Sequence, residues 1–379
     1  MIKVKRIETK SEWAAFVDFP WAVYENDPHW VPPLKIAVVE ALSVDKNPFF
    51  KHAYMHPVLA YDGNRIVGRA VGVIDDAHNK FQGEQVVFFG FYESFDDQKI
   101  ADALLGEIAK WGKGRGMTAL RGPVNLSTNH ECGLLVEGFD DAPTVMTTYN
   151  PPYYRKLLEH WGLAKSKDLL SYIIDSRTTK FSDRLLAHAE KLKQGGQVTF
   201  RPIRMKDFEK EISTILEIYN DAWEKNWGFV PMTPEEFRHM AKDMKSILDP
   251  NLLLIAEVRG EAAAFALALP DVNQALKRIP DGKLLPLGLM RLLWNLKGPG
   301  KKKTLNRCRV ITLGIKKKYQ QIGIGPVLYL EYLKRGPAAG YPAGEASWIL
   351  EDNIPMNRAL EQMCGKRTKV HRIYDKALG

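Results

Sequence analysis

The strongest constraint on the fold is an order of elements that occurs twice within the 379 residues. In each half, the hydrophobic pattern predicts a hairpin, a strand, a helix, a strand, a short helix that ends at glycine, and a final strand. The hairpins turn at Asp62-Gly63-Asn64 and at Arg259-Gly260-Glu261. Strands that alternate with helices are typical of α/β folds, and a chain of this length has room for two domains. We therefore predict a duplicated α/β unit.

The duplication sets the expected domain boundaries. Residues 1–178 form the first domain, residues 179–196 a helical connector, and residues 197–379 the second domain. In the second half, a strand at 309–315 leads into a helix that we expect to begin at Pro326.

Composition and cysteine spacing exclude several classes of protein. With 45% hydrophobic and 26% charged residues, the chain is typical of a globular protein rather than a disordered one. Cys132, Cys308 and Cys364 lie far apart, without a CxxC pair or histidines at ligand spacing, so we expect neither a disulfide framework nor a metal site. Residues 1–13 lack an apolar stretch of signal-peptide length, and no apolar run is long enough to span a bilayer. We expect a cytoplasmic protein.

The positive charge is concentrated in one segment. Residues 276–318 hold thirteen Lys or Arg against one acid, Asp281, whereas the whole chain carries +9. Within 276–303, leucines, Met290 and Trp294 are interspersed with basic residues, which predicts an amphipathic helix on an anionic membrane surface or over a lipid substrate. A surface helix that covers the core, followed by a solvated lysine loop at 301–303, is the alternative. We expect no nucleic-acid partner, because no recognised binding motif is present.

The stretch "YQQIGIGPV", residues 319–327, predicts an anion site. Between a strand and a helix, the amides of Gln321 to Gly325 would converge, and the helix dipole would add positive potential. Glycines at 323 and 325 would let a ligand approach the backbone. The pattern is neither a Walker motif nor GxGxxG. A turn that merely joins strand to helix is the alternative.

Gln320-x-x-Gly323-x-Gly325 after a strand resembles the motif of the GNAT N-acyltransferases, which holds the pyrophosphate of acetyl- or acyl-coenzyme A. The resemblance implies two tandem GNAT-like domains, each an α/β fold with a mixed, mostly antiparallel twisted sheet, splayed central strands and flanking helices. It also implies the residues that bind the coenzyme A moiety of an acetyl-CoA or longer acyl-CoA co-substrate: Leu313, Ile315, Gln320, Gln321, Ile322, Gly323, Ile324, Gly325, Pro326 and Asn353.

Four further strings, "GFYESFDD", "LRGPVNLSTNHECGLLVEGFD", "YNPPYYRKLLEHWG" and "EASWILEDNIPMNRALEQM", resemble a two-lobed branch of GNAT proteins that includes the bacterial ceramide synthase-like proteins. This resemblance implies transfer of an acyl group from a thioester to an amine, a sphingoid-type or other lipophilic amine among the candidates. Three alternatives stay open: acetyl transfer to a small polar amine or a protein, an acyl carrier protein as donor, and a binding protein without turnover. We expect a monomer or a dimer.

The strand at 344–350 ends where a general base is needed. We expect Glu351 to be that base, because the thioester should lie beside the splayed strands. The alternative is that Glu351 and Asp352 cap the next helix, a role that suits Asp352 better. Many GNAT proteins place a tyrosine as general acid four residues before the glycine that follows this helix. Here Glu361 stands at that place.

The first half lacks the glycine turn, so we expect it to bind the acceptor rather than coenzyme A. Two polar clusters and one tryptophan are the expected acceptor contacts: Asn125, Asn129, His130, Tyr149, Asn150, Tyr153 and Trp348. A turn-rich loop with buried tyrosines is the alternative for the clusters.

Overall fold

The structure is a computed structural model that describes residues 1–224, 226–299, 304–363 and 365–379. Contacts divide the chain into two compact units. Unit 1 contains Met1–Leu169, Ile279–Pro286 and Lys369–Gly379, and unit 2 contains Leu170–Arg278 and Leu287–Thr368. The domain boundaries expected from the sequence stay a prediction.

Unit 1 contains a mixed sheet with the strand order β1-β2-β3-β4-β5-β13, and β6 also pairs with β13. Its strands are β1 (Lys3–Arg6), β2 (Ala53–Asp62), β3 (Arg65–Asp75), β4 (Val86–Ser94), β5 (Ala119–Gly122) and β6 (Leu134–Glu137). Two strands have residues in both units: β7 (Ala164–Asp175) and β13 (Lys366–Ala377). The helices of unit 1 are α1 (Lys10–Asp18), α2 (Pro20–Val23), α3 (Lys35–Ala41), α4 (Asp76–Gln82), α5 (Gln98–Lys113) and α6 (Tyr154–His160).

Unit 2 contains the strand order β8-β9-β10-β11-β12. Its own strands are β8 (Val198–Pro202), β9 (Leu253–Val258), β10 (Glu261–Pro270), β11 (Arg307–Ile315) and β12 (Ala343–Leu350). Its helices are α7 (Asp183–Lys193), α8 (Phe208–Trp223), α9 (Pro234–Lys245), α10 (Asn273–Leu276), α11 (Gly288–Leu296), α12 (Ile324–Ala338) and α13 (Ile354–Gln362).

In both units, a helix with one apolar face covers the sheet. In α5, Ile100, Leu104 and Ile108 recur at helical spacing and are buried. In α8, Ile212 and Ile215 are buried in the same way, in a core that includes residues of β9 and β10. The tandem α/β fold predicted from the sequence is therefore confirmed.

Two segments that follow unit 2 elements in sequence belong to unit 1. The end of the chain pairs as an antiparallel strand with β5, from Tyr374↔Gly122 to Ala377↔Ala119. The segment Ile279–Pro286 is held at Pro280, whose carbonyl accepts a 2.7 Å hydrogen bond from the Trp21 indole.

The basic segment includes one helix, α11, and residues 300–303 of the expected membrane contact and lysine loop lie outside the described residues. Cys364 also lies outside them. Among the described helices, none combines the length and the apolar character needed to cross a bilayer.

Candidate functional site

The parallel strands β11 and β12 begin side by side and then separate. Their registered pairs run from Arg307↔Ala343 to Val310↔Ala346, whereas the strands continue to Ile315 and Leu350. A backbone that is not used by a neighbouring strand keeps its N–H and C=O groups available for a ligand. The separation therefore creates a candidate slot along the second half of β11.

A β-bulge marks the point of separation. On the opposite side of β11, β10 pairs Leu267 with Thr312 but Ala268 with Val310, so Ile311 is an extra residue. An extra residue bends the strand that contains it and increases its local twist. The bulge at Ile311 follows the last β11–β12 pair directly, which gives a physical cause for the separation.

A buried polar network lies where the strands separate. Arg309 is 2% exposed, and its Nε donates to the Ser347 hydroxyl at 2.8 Å, which in turn donates to Glu345 at 2.8 Å. The guanidinium carbon of Arg309 is 4.7 Å from the ring centroid of Trp348. These contacts hold the half-buried Trp348 ring beside the slot, and its expected role in substrate contact stays a prediction.

The glycine turn joins β11 to α12 through a short 3-10 helix over Lys317–Ile322. Gly323 has a φ of 75°, a left-handed conformation that glycine adopts without strain. The helix begins at Ile324, so the expected start at Pro326 is wrong by two residues. Pro326 is the third residue of the helix, where its missing N–H costs no intrahelical hydrogen bond. The first-turn amides of Ile324 and Gly325 supply the positive end of the helix.

Space around the turn restricts Gly323 to glycine. A Cβ atom there would lie 2.5 Å from Nε2 of His188, a residue of α7. At Gly325, a Cβ would lie 3.4 Å from Ile315 and 4.0 Å from Leu313, so these two side chains line the turn. Ile324 and Gly325 are buried, whereas Gln321 is exposed and Gly323 is half-buried. The cradle fits a phosphate group that is bound by backbone amides.

The three lysines before the turn are paired with acids. Lys316 and Lys318 lie 3.4 and 2.7 Å from Glu261, and Lys317 pairs with Glu224. Hydrogen bonds from Lys318 and Tyr319 lower the pKa of Glu261 to about 2. The predicted anion site at this turn therefore depends on backbone amides rather than on these ammonium groups.

The expected base, Glu351, follows β12 in a loop that is tied down by its neighbours. The Asn357 side chain donates to the carbonyls of Leu350 and Glu351 at 3.1 and 3.3 Å. Asn353 caps α13, because its side chain accepts a 3.3 Å hydrogen bond from the amide of Met356. The expectation that Asp352 suits this cap is wrong: one residue further on, the Asn353 carboxamide oxygen reaches the helix amide. The predicted roles of Glu351 and Asn353 toward a ligand stay predictions.

A tyrosine lies beside Glu361. The hydroxyl of Tyr172, in the unit 2 part of β7, donates to Glu361 at 3.5 Å. Tyr172 is buried, and burial together with the Glu361 carboxylate raises the pKa of the phenol, so it stays protonated. Sequence reasoning missed it, since 189 residues separate the two positions and no local pattern connects them.

Two of the acceptor residues predicted in unit 1 have structural contacts. Asn125 accepts a 2.8 Å hydrogen bond from the amide of Phe91. The buried Asn150 accepts from the amide of Leu135 and donates to the carbonyls of Leu135 and Pro151. Both carboxamides thus connect a loop to a strand of the sheet through hydrogen bonds.

His130 and Asn129 are held within their own loop. Nδ1 of His130 is 2.8 Å from the Ser127 hydroxyl, which also accepts a 3.2 Å hydrogen bond from the amide of Asn129. The His130 ring contacts Phe49 edge-on. The acceptor role of this loop stays a prediction.

Tyr149 and Tyr153, by contrast, line an open pocket of about 440 Å³ in unit 1. Tyr24 and Asp27 line it as well, and the Tyr149 hydroxyl lies 2.9 Å from an Asp27 oxygen. The pocket combines aromatic walls with a carboxylate, which suits an organic cation. Sequence reasoning missed Asp27, although an acid among the aromatics of "WAVYENDPHW" is a usable signal.

A buried carboxylate lies behind that pocket. The hydroxyls of Tyr24 and Tyr154 donate to Glu93 at 2.9 and 2.8 Å, and Arg69 lies 3.7 Å from its other oxygen. Burial raises the pKa of Glu93, against the opposing effect of the Arg69 charge. This network fixes the Tyr24 wall. Among the described residues, no group of three or more His, Cys, Asp or Glu side chains could hold a metal ion.

Comparisons with known proteins place the chain among acyltransferases. It is 36% identical over 384 residues to "Bacterial ceramide synthase" of Caulobacter vibrioides, covering 100% of this chain and 98% of the relative. It is 35% identical over 379 residues to "Protein YghO" of Escherichia coli, covering 99% and 95%. No protein-family model matches.

Solved structures agree in fold. A tandem GNAT protein from the clavulanic acid biosynthesis pathway, solved without acetyl-CoA, superposes with a TM-score of 0.56 at 12% identity, covering 100% of this chain and 99% of the other. A GCN5-related N-acetyltransferase from Sphaerobacter thermophilus gives 0.55 at 12% identity, covering 100% and 96%. At these identities the likeness establishes the fold alone.

Proposed function

Because the chain belongs to the tandem GNAT N-acyltransferase family that includes bacterial ceramide synthase, we propose that it transfers an acyl group from acyl-coenzyme A to a lipophilic primary amine, of sphingoid or similar type. The glycine turn at Gly323 carries this proposal. It lies at the start of a helix, beside a strand whose edge toward β12 has no registered pair from Ile311 onward. In this proposal, the pyrophosphate of coenzyme A binds at the turn, and the extended pantetheine arm pairs with the free edge of β11.

The residues of unit 2 supply the proton transfers. The amine nitrogen forms a C–N bond with the thioester carbonyl, and the C–S bond breaks as the thiolate leaves. Glu351 accepts the proton of the amine, and Tyr172 donates a proton to the thiolate. Glu351 then releases its proton to solvent, from which Tyr172 regains one. The raised pKa of Tyr172 keeps the phenol protonated before the transfer, but it also makes the phenol a weaker acid than an ordinary tyrosine.

A lipid amine brings the reaction to a membrane, and α11 supports this location. Met290 and Trp294 are 68% and 57% exposed on it, while Asn295 anchors the opposite face through the Thr304 hydroxyl at 2.7 Å. Exposed Arg291 adds positive charge to the apolar face. Such a helix binds an anionic bilayer surface through apolar burial and basic residues together. We place the protein in the cytoplasm, at the inner membrane surface.

Co-sedimentation with vesicles tests the membrane contact. Wild type should bind phosphatidylglycerol vesicles and leave phosphatidylcholine vesicles largely unbound. The double variant Met290→Glu/Trp294→Glu should lose this binding, whereas Val39→Glu, at a residue with 54% exposure on α3, should keep it. Equal binding by all three proteins would argue against α11 as the contact.

Calorimetry with coenzyme A, acetyl-CoA and palmitoyl-CoA tests the donor site, and single-turnover assays with sphinganine or a small polar amine then test transfer. Tightest binding of palmitoyl-CoA with transfer to sphinganine is the expected result. Preference for acetyl-CoA and the small polar amine would contradict acyl transfer to a lipophilic amine and would indicate an acetyltransferase instead. Binding without transfer to either amine would indicate a binding protein, and no binding would point to a carrier-protein donor.

A further inference from the structure

Aromatic residues line one side of the pocket of about 440 Å³ in unit 1. Tyr24 stacks on Trp30 with ring centroids 4.8 Å apart and an interplanar angle of 6°. Its hydroxyl donates to Glu93 and to the carbonyl of Tyr149 at 2.9 and 3.2 Å. Tyr24 is only 3% exposed, so it fixes the position of this wall rather than offering a large surface to a ligand.

Asp27 is the carboxylate that this wall surrounds. One of its oxygens accepts hydrogen bonds from the amides of His29 and Trp30 at 2.8 and 3.3 Å. The other oxygen accepts from the Tyr149 hydroxyl at 2.9 Å. Burial, together with the Asp27 charge, raises the pKa of Tyr149, so the phenol remains a donor. A carboxylate has about four lone-pair sites, so the second oxygen keeps capacity for one more donor.

We propose that this pocket binds the primary ammonium group of an organic amine, with Asp27 as the counter-ion and the rings of Tyr149 and Tyr153 as its walls. An ammonium group gains from a carboxylate partner and from aromatic faces at the same time. This binding site goes beyond the proposed function and does not depend on it.

The remaining wall indicates the rest of the ligand. Phe139, Pro151 and Pro152 line the same pocket and offer no charge. A carbon chain attached to the ammonium group would bury apolar surface against them. The site therefore suits an amphiphilic amine better than an amino acid, whose carboxylate would meet these apolar walls and the Asp27 carboxylate.

A purely structural role for Asp27 makes a different prediction. The two amide hydrogen bonds form a turn that an asparagine also supports, because its carboxamide oxygen accepts in the same place. Asp27→Asn therefore keeps the turn and removes the charge. If Asp27 served only the turn, this variant would behave like wild type toward any ligand.

The test uses octylamine and its uncharged analogue octanol as probes, measured by calorimetry on the full chain. Wild type should bind octylamine at least about tenfold more tightly than octanol, and Asp27→Asn should abolish that difference. Glu25→Gln, at an exposed acid on the pocket rim, and Asp62→Asn, on the distant hairpin turn, should preserve it. Palmitoyl-CoA binding is measured in parallel and should be unchanged in all three variants.

The outcomes separate the two proposals. Octylamine selectivity that depends on Asp27 supports the ammonium site even where palmitoyl-CoA fails to bind, and in that case only the proposed function falls. Equal binding of octylamine and octanol, or selectivity that survives Asp27→Asn, overturns the ammonium site. Selectivity lost in Glu25→Gln but kept in Asp27→Asn also overturns it and moves the counter-ion to the rim.

Discussion

Each unit contains a crossover in which two parallel strands are joined by a helix: β4–α5–β5 in unit 1 and β11–α12–β12 in unit 2. The two crossovers share one backbone geometry but differ in the residues at the helix N-terminus and along the strand edge. In unit 1, β4 and β5 pair in parallel only from Val86↔Ala119 to Phe88↔Arg121. A bulge follows in β4, as it does at Ile311 in β11. Both units therefore contain the bent strand and the separating pair that could accommodate an extended ligand.

The first difference lies at the helix N-terminus. In unit 2 this place is held by Gly323, which has no side chain to cap the first helix amides. In unit 1 it is held by Asp97, whose carboxylate accepts a 2.8 Å hydrogen bond from the amide of Lys99. Asp96 adds a second, exposed carboxylate. In unit 1 an aspartate side chain therefore caps the positive end of the helix, whereas in unit 2 none of the described side chains caps it.

The second difference lies along the strand. In unit 1, the amide of Val124 donates to the carbonyl of Phe89 at 2.7 Å, and Asn125 accepts from the amide of Phe91. These groups use the strand edge on which an acyl-CoA arm would pair. The comparison teaches that two units with the same backbone geometry differ by two local changes, from which we predict that unit 1 is closed to an acyl-CoA.

The largest expected effect comes from placing an aspartate at the start of α12 in unit 2, where unit 1 has Asp97 at the start of α5. Gly323→Asp should weaken palmitoyl-CoA binding about a thousandfold, equivalent to about 4 kcal/mol. The new carboxylate repels the pyrophosphate, the left-handed backbone is strained by a Cβ, and that atom meets His188 at 2.5 Å. Calorimetry measures the change.

Gly340→Asp is the matched control for that variant. Gly340 follows the other end of α12, has a φ of 97°, and a Cβ there would meet no atom within 4 Å. The Gly340→Asp variant introduces the same backbone strain at a position away from the predicted pyrophosphate site. Its affinity for palmitoyl-CoA should therefore stay within about twofold of wild type. An equal loss in both variants would trace the effect to folding rather than to the turn.

The next effect concerns the end of β12, where unit 2 carries Glu351. Glu351→Gln should lower kcat about a hundredfold, because a general base contributes at least that much, and should leave palmitoyl-CoA affinity unchanged. Asp352→Asn alters the adjacent, exposed carboxylate and should retain wild-type kcat. An unaltered rate in Glu351→Gln would remove Glu351 from the mechanism, while a shared loss would indicate a disturbed loop.

A smaller effect is expected in unit 1. Asn125→Ala removes the acceptor for the Phe91 amide and should lower the free energy of unfolding by about 1–2 kcal/mol, measured by urea denaturation. Asn125→Asp keeps the oxygen and should lose less. Palmitoyl-CoA should still bind one site per chain, because Asp97 still holds the helix N-terminus. A second bound molecule would contradict the idea that the acid closes unit 1.

The sequence predicted what local chemistry determines. The hairpin turns at Gly63 and Gly260 and the glycine turn at Gly323 depend on a few neighbouring residues, and all three are present. The bulge at Ile311 was not predictable, because it is defined by the register of β10 against β11. The helix start moved from Pro326 to Ile324 because the glycine, not the proline, sets the boundary.

Long-range contacts account for the remaining misses. The acceptor role of Asn125 stays a prediction, but its hydrogen bond from the amide of Phe91, 34 positions away, was not visible in sequence. Asp27 was overlooked because Tyr149, its partner in the pocket, is 122 positions away. Residue types at a site can be guessed from local composition, but the pairing of distant segments decides which of them serve the backbone and which face a pocket.

The smallest expected effect separates backbone amides from lysines as the source of affinity in unit 2. Lys318→Gln should change palmitoyl-CoA affinity by less than about twofold, because the ammonium group is already paired with Glu261 at 2.7 Å. Glu261→Gln is the informative partner variant, since it releases Lys316 and Lys318 toward the turn and should leave binding equal or slightly tighter. Calorimetry at low and high salt measures both. A tenfold loss in Lys318→Gln would mean that charge, and not the glycine conformation, distinguishes the binding crossover from the closed one.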